Sequence, residues 1–478
     1  MIAQREQEIR EFVPKPYYTV TAAAGGVVYT WKDEKSGGTR ISDPEKAKQI
    51  AEKAKRYPLV LQNVEKKKKQ KEAPLLYDLT ELQRDASARF GYSAKQTLNL
   101  MQSLYETHKV LTYPRTDSRY LTKDIVPTLK ERLDAVSIGP YKALAQQAKR
   151  SPLNGKLSFV NDAKVSDHHA IIPTGVYAQN LTDMERRVYD LIARRFIAVF
   201  YPDCKISTTT VMGEVDKIEF KVTGKQILEP GWRVVFAKDV KDTSEEKEEE
   251  DENVLPAFVK GESGPHVPDL NEKWTQPPRP YTEATLLRAM ETAGKLVDND
   301  ELRDALKENG IGRPSTRAAI IETLFKRNYI RKERKNLIAT PTGVELVQII
   351  HEELLKSAEL TGIWEKKLRE IEKKTYDARQ FLEELKQMVS EIVMSVLSDN
   401  TNRRITIQEA VAQTEEKAKK EPKKRERKPS APKEKKAKAE PKVPASSPSP
   451  ASIPSAPASA PATGNACLLY TSPSPRDR

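Results

Sequence analysis

The chain has 478 residues and a formal net charge of +13, from 82 lysines and arginines against 69 aspartates and glutamates. This length is enough for roughly two to four domains and a sizeable buried core. The two cysteines, Cys204 and Cys467, exclude a disulfide framework and a zinc site made of four cysteines. The basic balance favours a polyanionic partner, most simply nucleic acid.

Membrane and secretory classes fit the sequence poorly. No apolar run approaches the ~20 residues that span a bilayer. The first stretch, MIAQREQEIREF, is charged and lacks the apolar segment of a secretory signal. We therefore expect a cytoplasmic protein.

The first third of the chain alternates between strand and helix patterns. Residues 17–31 are rich in tyrosine, threonine and valine and predict strands, residues 46–55 predict a short helix, and residues 59–66 predict another strand. Apolar residues recur at helical spacing over 79–90. Ser93 is a candidate N-cap for a second helix that ends near His108.

The remaining body mixes one clear helix, a strand region and a mostly helical end. Residues 181–200 predict an amphipathic helix, with Thr182 as N-cap and Glu185 three residues later. Residues 205–236 alternate between apolar and polar positions and predict antiparallel strands, with WRVVF as the last of them. Residues 281–398 are mostly helical in pattern.

Charged and low-complexity stretches interrupt or follow this body. The acidic run 245–252 predicts a solvated loop. Residues 415–442 carry 13 lysines and arginines against 6 acidic residues and almost no large apolar side chain, so we expect disorder there. A Pro/Ser/Ala-rich stretch follows and predicts an extended linker. Residues 467–478 resemble a translated sequencing adapter and are expected to be an artefact. Most of the positive charge lies after residue 414, and the body, 1–414, carries a net charge of only +5.

The segment LTYPRTDSRY at 111–120 is the densest group of reactive side chains. Pro114 disfavours helical geometry at Tyr113. A tyrosine phenol has a pKa near ~10 and is a weak nucleophile at neutral pH, and Arg115 would both activate it and neutralise an attacked phosphate. On the residues alone, a surface loop with a packed tyrosine remains the simpler alternative.

Two further groups have both a chemical and a structural interpretation. His168 and His169, beside Asp167, could contact phosphate, bind a metal or form a solvated turn. Residues 301–343 predict a helix, a turn, a second helix opened by Pro314 and a hairpin, which together form a helix-turn-helix with a wing. Some units of this kind bind DNA, and others only support the packing of the protein that contains them.

The string TYPRTDSRYL resembles the active-site segment of type IA DNA topoisomerases, in the topoisomerase III branch. Other segments occur in the order found in that family, and the resemblance covers about residues 1–400. These segments are MIAQREQEIREFVPKPYY, SDHHAIIPTG, YTEATLLRAME and NGIGRPSTRAAIIETLFKRNYI.

The resemblance implies the chemistry and the residues that perform it. Tyr113 would attack one DNA strand and form a 5′-phosphotyrosyl link, and rejoining would need no ATP, consistent with a sequence that has no P-loop motif. Arg115 would clamp the scissile phosphate and His168 would contact it. The DNA-binding positions of the winged unit would be Arg313, Thr316 and Arg327.

The resemblance also implies an α+β, multi-domain, toroidal core with a strand-rich arch. We expect a helical base with the winged unit at 1–12 and 271–400, the arch at 13–65 and 195–270, a helical domain with Tyr113 at 66–194, a disordered tail at 401–466, and the artefact at 467–478.

In the family, a TOPRIM domain supplies a general-acid glutamate and the acidic cluster that binds Mg²⁺. The sequence contains no such unit, so we expect a chain truncated before Met1 that holds no metal itself and does not relax DNA alone. Single-stranded DNA is the expected substrate, RNA remains open, and we expect a monomer. No helicase or single-strand-binding partner is identifiable. The alternatives are a non-catalytic winged-helix DNA-binding protein and a structural protein that binds through its basic tail.

Overall fold

The computed structural model describes residues 1–152, 157–239, 252–296, 306, 310–351 and 353–398. Three predictions therefore lie wholly or largely outside the described residues: the acidic loop, most of the helix expected at 301–309, and the tail from 401 onward with its suspected adapter sequence. The elements of the first half are α1 (Ile2–Arg10), β1 (Pro16–Ala24), β2 (Val27–Trp31), α2 (Pro44–Arg56), β3 (Leu59–Lys71), α3 (Leu79–Phe90), α4 (Ala94–Gln102), α5 (Leu129–Val136), α6 (Lys142–Ala148) and α7 (Asp183–Ala198).

The second half adds strands, the winged unit and a helical end. Its elements are β4 (Cys204–Val215), β5 (Ile218–Glu229), β6 (Ser263–Gly264), β7 (Val267–Trp274), β8 (Tyr281–Thr282), α8 (Glu283–Glu291), α9 (Pro314–Lys326), β9 (Ile330–Glu333), β10 (Asn336–Ala339), α10 (Pro341–Ile349), α11 (Glu353–Lys356), α12 (Glu359–Glu372) and α13 (Ala378–Ser398). None of the described helices is both long and apolar enough to cross a membrane.

An antiparallel sheet of seven strands brings together distant parts of the chain. Its strand order is β6–β3–β4–β5–β2–β1–β7. The predicted strands at 17–31 are β1 and β2, joined by Gly25 and Gly26, whose φ angles of 58° and 75° suit a tight hairpin turn. The predicted helix at 46–55 is α2, and its alanines and Ile50 are buried with Val20, Tyr29 and Phe220 of the sheet.

The prediction of a strand at 232–236 is wrong, because Gly231–Asp239 forms a 3₁₀ helix. Trp232 and Val235 are buried in the helical core, and their spacing of three is that of a helical turn rather than of a strand. The Trp232 Nε1–H donates to the Lys71 carbonyl at 2.9 Å, and Gly231 starts the turn with φ of 52°. Trp232 and Val235 therefore lie on the same side of a tight helix and not on one face of a strand.

Helices α3 to α7 form a second core around the Tyr113 segment. Its fully buried members include Leu79, Leu104, Leu111 and Phe196. The predicted capping box of α7 is confirmed: the Thr182 side chain accepts from the backbone N–H of Glu185, and the Glu185 carboxylate accepts from the backbone N–H of Thr182. Ser93 caps α4 as predicted, accepting from the Gln96 N–H at 3.0 Å.

The winged unit forms a third core. The predicted second helix is α9, with Pro314 in its first turn, and the predicted hairpin is β9 and β10, which β8 extends to a three-stranded sheet. Leu287, Ile321 and Leu337 are buried between α8, α9 and this sheet. The stated domain limits stay predictions.

Candidate active site

The Tyr113 segment has irregular backbone and is fixed by a second irregular segment, residues 168–174. The Thr112 N–H donates to the Ile172 carbonyl at 3.0 Å, and the Ile172 N–H donates back to Thr112 Oγ1 at 3.0 Å. The Thr174 N–H donates to the Val110 carbonyl at 3.0 Å. These bonds hold the two predicted motifs, 111–120 and 166–175, side by side.

Thr116 is a structural member of the segment rather than a reactive hydroxyl. It is 2% exposed. Its Oγ1–H donates to the His168 carbonyl at 2.7 Å, the same oxygen accepts from the Ser118 N–H at 3.1 Å, and its carbonyl accepts from the Leu79 N–H at 3.0 Å. One buried residue therefore joins the tyrosine segment, the histidine segment and the start of α3.

The ring of Tyr113 is partly exposed and is held between two aromatic neighbours. The His168 ring lies 4.3 Å away, centroid to centroid, with the planes inclined by 43°, and the Tyr105 ring lies 5.6 Å away at 84°. No described residue hydrogen-bonds the Tyr113 hydroxyl. The ring is therefore held by its neighbours, and its hydroxyl has no hydrogen-bond partner among the described residues.

Arg115 is exposed two residues after Tyr113 and pairs with no acidic group among the described residues. His168 is exposed, whereas His169 is half-buried with its Nδ1 2.7 Å from the Ala170 carbonyl oxygen. Burial lowers the pKa of His169, so its imidazole is favoured in the neutral form. The side chains of Arg115 and His168 are exposed to solvent, whereas the His169 ring contacts a backbone carbonyl.

Tyr105 belongs to this site, although no sequence pattern indicated it. It lies in a π-helix, Ser103–Thr107, which continues α4 and places the Tyr105 ring against Tyr113. The Ser103 Oγ–H donates to Glu185 Oε1 at 2.6 Å, and His108 Nε2 lies 3.4 Å from the same oxygen. Tyr105 fits the helical pattern predicted after Ser93, but that pattern gives no sign of the contact with Tyr113, which lies in a separate segment.

The predicted DNA-binding residues of α9 lie at its two ends. Arg313 is the N-cap residue and is exposed, and Thr316 Oγ1 donates to the Arg313 carbonyl at 3.0 Å. Arg327 follows the last turn, about 20 Å away for a helix of this length. The structure therefore groups Arg313 with Thr316 and separates both from Arg327.

The buried guanidinium of Arg317 connects α9 to the first turn of α3. Arg317 is 2% exposed and its Nη1 donates to Thr80 Oγ1 at 2.8 Å. Burial lowers the pKa of Arg317, while Glu291, Asp78 and Asp117 oppose that shift. Neither Arg317 nor Thr80 was predicted to matter, because 237 residues separate them.

Asp78 lies in the same region and caps α3, with Oδ1 accepting from the Glu81 N–H at 2.7 Å. Burial raises the pKa of Asp78 to about 7, against that hydrogen bond. Within the described ranges, no group of three or more His, Cys, Asp or Glu side chains is placed to hold a metal ion.

A family model described as DNA topoisomerase matches residues 1–383. The chain belongs to the DNA topoisomerase family. It is 40% identical over 403 residues to DNA topoisomerase 3 of Bacillus subtilis (strain 168), covering 83% of this chain and 55% of that protein. It is 42% identical over 407 residues to DNA topoisomerase 3 of Bacillus anthracis, covering 84% and 55%.

A solved structure agrees with these relatives. Full-length topoisomerase I from Thermotoga maritima superposes with a TM-score of 0.60 and 25% identity, covering 82% of this chain and 61% of that one. The predicted α+β class and the type IA topoisomerase III resemblance are confirmed. The chain spans about half the length of the curated relatives it matches. The roles of the individual site residues stay predictions.

Proposed function

We propose that this chain carries the strand-cleaving and rejoining part of an ATP-independent type IA DNA topoisomerase. The observation that supports this most directly is the geometry of Tyr113. Its ring is fixed by Tyr105 and His168, its hydroxyl has no partner among the described residues, and Arg115 is exposed beside it. A nucleophile and a cation therefore share one rigid, solvent-facing segment.

In the proposed reaction, the Tyr113 Oη attacks the phosphorus of a phosphodiester in a single DNA strand. The new bond is a 5′-phosphotyrosyl ester, and the bond from phosphorus to the 3′ oxygen breaks. The phenol loses its proton, and the leaving 3′ oxygen takes up a proton to become a free hydroxyl. Arg115 would neutralise charge that develops on the phosphate, with His168 as a second contact. The ester keeps the energy of the original bond, so the 3′-hydroxyl can reverse the step.

DNA binding forms the second half of the proposal. Arg313, at the N-terminus of α9, would contact backbone phosphate, Thr316 would join it by giving up its bond to the Arg313 carbonyl, and Arg327 would contact phosphate separately. Single-stranded DNA is the proposed substrate, and a location at the nucleoid in the cytoplasm follows from that. RNA shares the same backbone chemistry, so binding tests must compare it with DNA.

Mg²⁺ belongs to the proposal only at the level of the family. The described residues do not supply a cluster of ligands for it. No step is assigned to the ion, and the proposed roles of Tyr113, Arg115 and His168 are binding, orientation and attack.

The decisive experiment is covalent capture of a labelled single-stranded oligonucleotide. The chain is tested alone and as a fusion that carries a TOPRIM domain of the family before Met1, with Mg²⁺ added. A 3′-labelled oligonucleotide should become protein-linked in the fusion, whereas a 5′-labelled one should release a fragment ending in a 3′-hydroxyl.

Tyr113→Phe is the matched variant because it removes only the attacking oxygen. The 3′-label should no longer transfer to this variant. Label transfer that persists in Tyr113→Phe, or no transfer to the fusion with Tyr113 intact, would overturn the proposed role and favour a non-catalytic winged-helix protein.

A further inference from the structure

The N-terminus of α4 is completed by a residue from the winged unit. Ser93 caps this helix through the Gln96 N–H, but the Ala94 N–H donates to Glu283 Oε2 at 2.9 Å. Ala94 is 1% exposed and its carbonyl accepts from Gln83 Nε2 at 3.0 Å. A buried backbone donor of this kind needs a partner, and here the partner lies 189 residues away.

Glu283 serves two elements at once. It is 3% exposed and is the first residue of α8. Its second oxygen, Oε1, accepts from Lys332 Nζ of β9 at 3.0 Å. The buried carboxylate therefore accepts from Lys332 of the wing through one oxygen and from the backbone of α4 through the other.

A second polar contact crosses the same boundary. Arg317 of α9 donates to Thr80 in the first turn of α3. The neighbouring Leu79 N–H donates to the Thr116 carbonyl in the tyrosine segment. The winged unit thus contacts the start of α3 and the start of α4, and both helices lead directly to residues that fix Tyr113.

Helices α3 and α8 also pack directly against each other across this boundary. The core of the winged unit consists of residues from α1, α8, α9 and the β9–β10 hairpin, and among its described buried members Ala94 alone comes from the helices around Tyr113. The polar contacts of Glu283 and Arg317 therefore add to helix packing and fix how the two parts are aligned.

We propose that Glu283 is a positioning residue that latches the helices around Tyr113 onto the winged unit, with Arg317 as a second tie. The latch keeps α4, and through its π-helix Tyr105, in register with the DNA-contacting end of α9. Its strength contributes to how often the two parts separate, and the consequence for strand cleavage and rejoining rests on the function proposed above.

The test is hydrogen exchange of the full chain without DNA. Glu283→Ala removes both contacts, Lys332→Met removes only the ion pair, and Glu283→Gln keeps an acceptor for the Ala94 N–H. We expect amides in the first turn of α4 to exchange about ten-fold faster or more in Glu283→Ala, with smaller increases in the other two. Amides of α7 should be unchanged. Glu52→Ala, in an exposed ion pair of α2, is the matched control.

Two results would overturn the latch. One is equal protection of the α4 amides in Glu283→Ala and the unmodified chain. The other is a rise of the same size in α7, which would show that Glu283 stabilises the whole fold rather than this boundary. Tyr113→Phe should leave exchange at α4 unaltered, so failure of the latch and failure of Tyr113 chemistry are separately visible.

Discussion

The ring of His168 lies against the ring of Tyr113, with centroids 4.3 Å apart. The contact joins two segments 55 positions apart in sequence, and the backbone bonds of Thr112 and Thr116 hold those segments together. His168 therefore has a fixed position relative to the proposed nucleophile while its own side chain stays exposed. A phosphate at the tyrosine oxygen would lie near His168, and Arg115 is exposed two residues further along the same segment.

The first prediction concerns these two contacts. Arg115→Ala should slow covalent capture of the 3′-labelled oligonucleotide by about 10²-fold or more, because it removes a cation from the attacked phosphate. His168→Ala should slow capture too, and it also removes a ring that supports Tyr113. The measurement is the single-turnover rate of label transfer to the TOPRIM fusion.

Asp167→Asn is the control for this pair, since Asp167 is an exposed neighbour in the same segment. Its capture rate should stay close to that of the unmodified fusion. Equal rates in Arg115→Ala and Asp167→Asn would remove Arg115 from the site.

The second prediction is that Thr116→Val destabilises the fold by about 1–3 kcal/mol, since the buried Thr116 Oγ1 both donates to the His168 carbonyl and accepts from the Ser118 N–H. The change conserves shape and leaves two backbone groups without their partner. Urea unfolding measures the loss. Thr323→Val, at an exposed position of α9, should shift stability by no more than about 0.5 kcal/mol.

Features set by neighbouring residues were predictable from the sequence. The capping residues Ser93 and Thr182, the helix start at Pro314 and the wing hairpin all depend on short-range rules, and all are present in the structure. The dense segment around Tyr113 was recognisable because its residues are adjacent in the chain.

Features set by distant contacts were not predictable. Nothing local to Arg317 or Glu283 indicates that each is buried against a helix about 190 to 240 residues earlier. Tyr105 was expected on the helix after Ser93, but its place beside Tyr113 depends on a tertiary contact that helical spacing does not reveal. The strand predicted at 232–236 was wrong because a short apolar run such as WRVVF does not distinguish a strand from a tight helical turn.

The third prediction uses the raised pKa of Asp78. Its folded pKa is about 7 against an ordinary value of 3.8, so the fold favours the protonated acid. Below pH 3.8 the group is protonated in both states, and as pH rises towards 7 the unfolded state gains stability by ionising. Asp78→Asn keeps a side-chain acceptor for the Glu81 N–H and has no such cost.

The free energy of unfolding of Asp78→Asn should therefore exceed that of the unmodified chain by on the order of 2 kcal/mol at pH 8, and the gap should close below pH 4. Chemical unfolding across this pH range measures it. A gap that does not vary with pH would show that Asp78 ionises in the fold as it does in water.

The fourth prediction concerns Glu185, whose pKa moves in the opposite direction. Burial alone would raise the pKa, but hydrogen bonds from Ser103 and Thr182, with the nearby His108, lower it to about 2. The carboxylate therefore stabilises the fold above pH 4.5, and this contribution is lost as pH falls from 4.5 towards 2.

Glu185→Gln should lower the free energy of unfolding by on the order of 1–3 kcal/mol at pH 7 and by much less near pH 2. Met184→Gln is the neighbouring control, because Met184 is exposed on the same turn. An equal loss at pH 7 and near pH 2 would mean that packing rather than charge is responsible.

The fifth prediction separates the body of the chain from its basic tail. Residues 1–414 carry a net charge of +5 and the stretch 415–442 a net charge of +7. Deleting 415–478 should therefore weaken binding to every nucleic acid and reduce the salt slope, while the preference of the body for single-stranded over duplex DNA should persist. Each phosphate of a single strand that the protein no longer neutralises lowers the slope by about 0.7.

Gel-shift titrations with single-stranded DNA, duplex DNA and single-stranded RNA at several salt concentrations measure both quantities. Arg313→Ala in the truncated chain should weaken single-strand binding further, because this arginine lies at the N-terminus of α9. Loss of nearly all binding on deletion of the tail would instead indicate a protein that binds nucleic acid through its tail alone. A preference for specific duplex sequences would favour the non-catalytic winged-helix alternative.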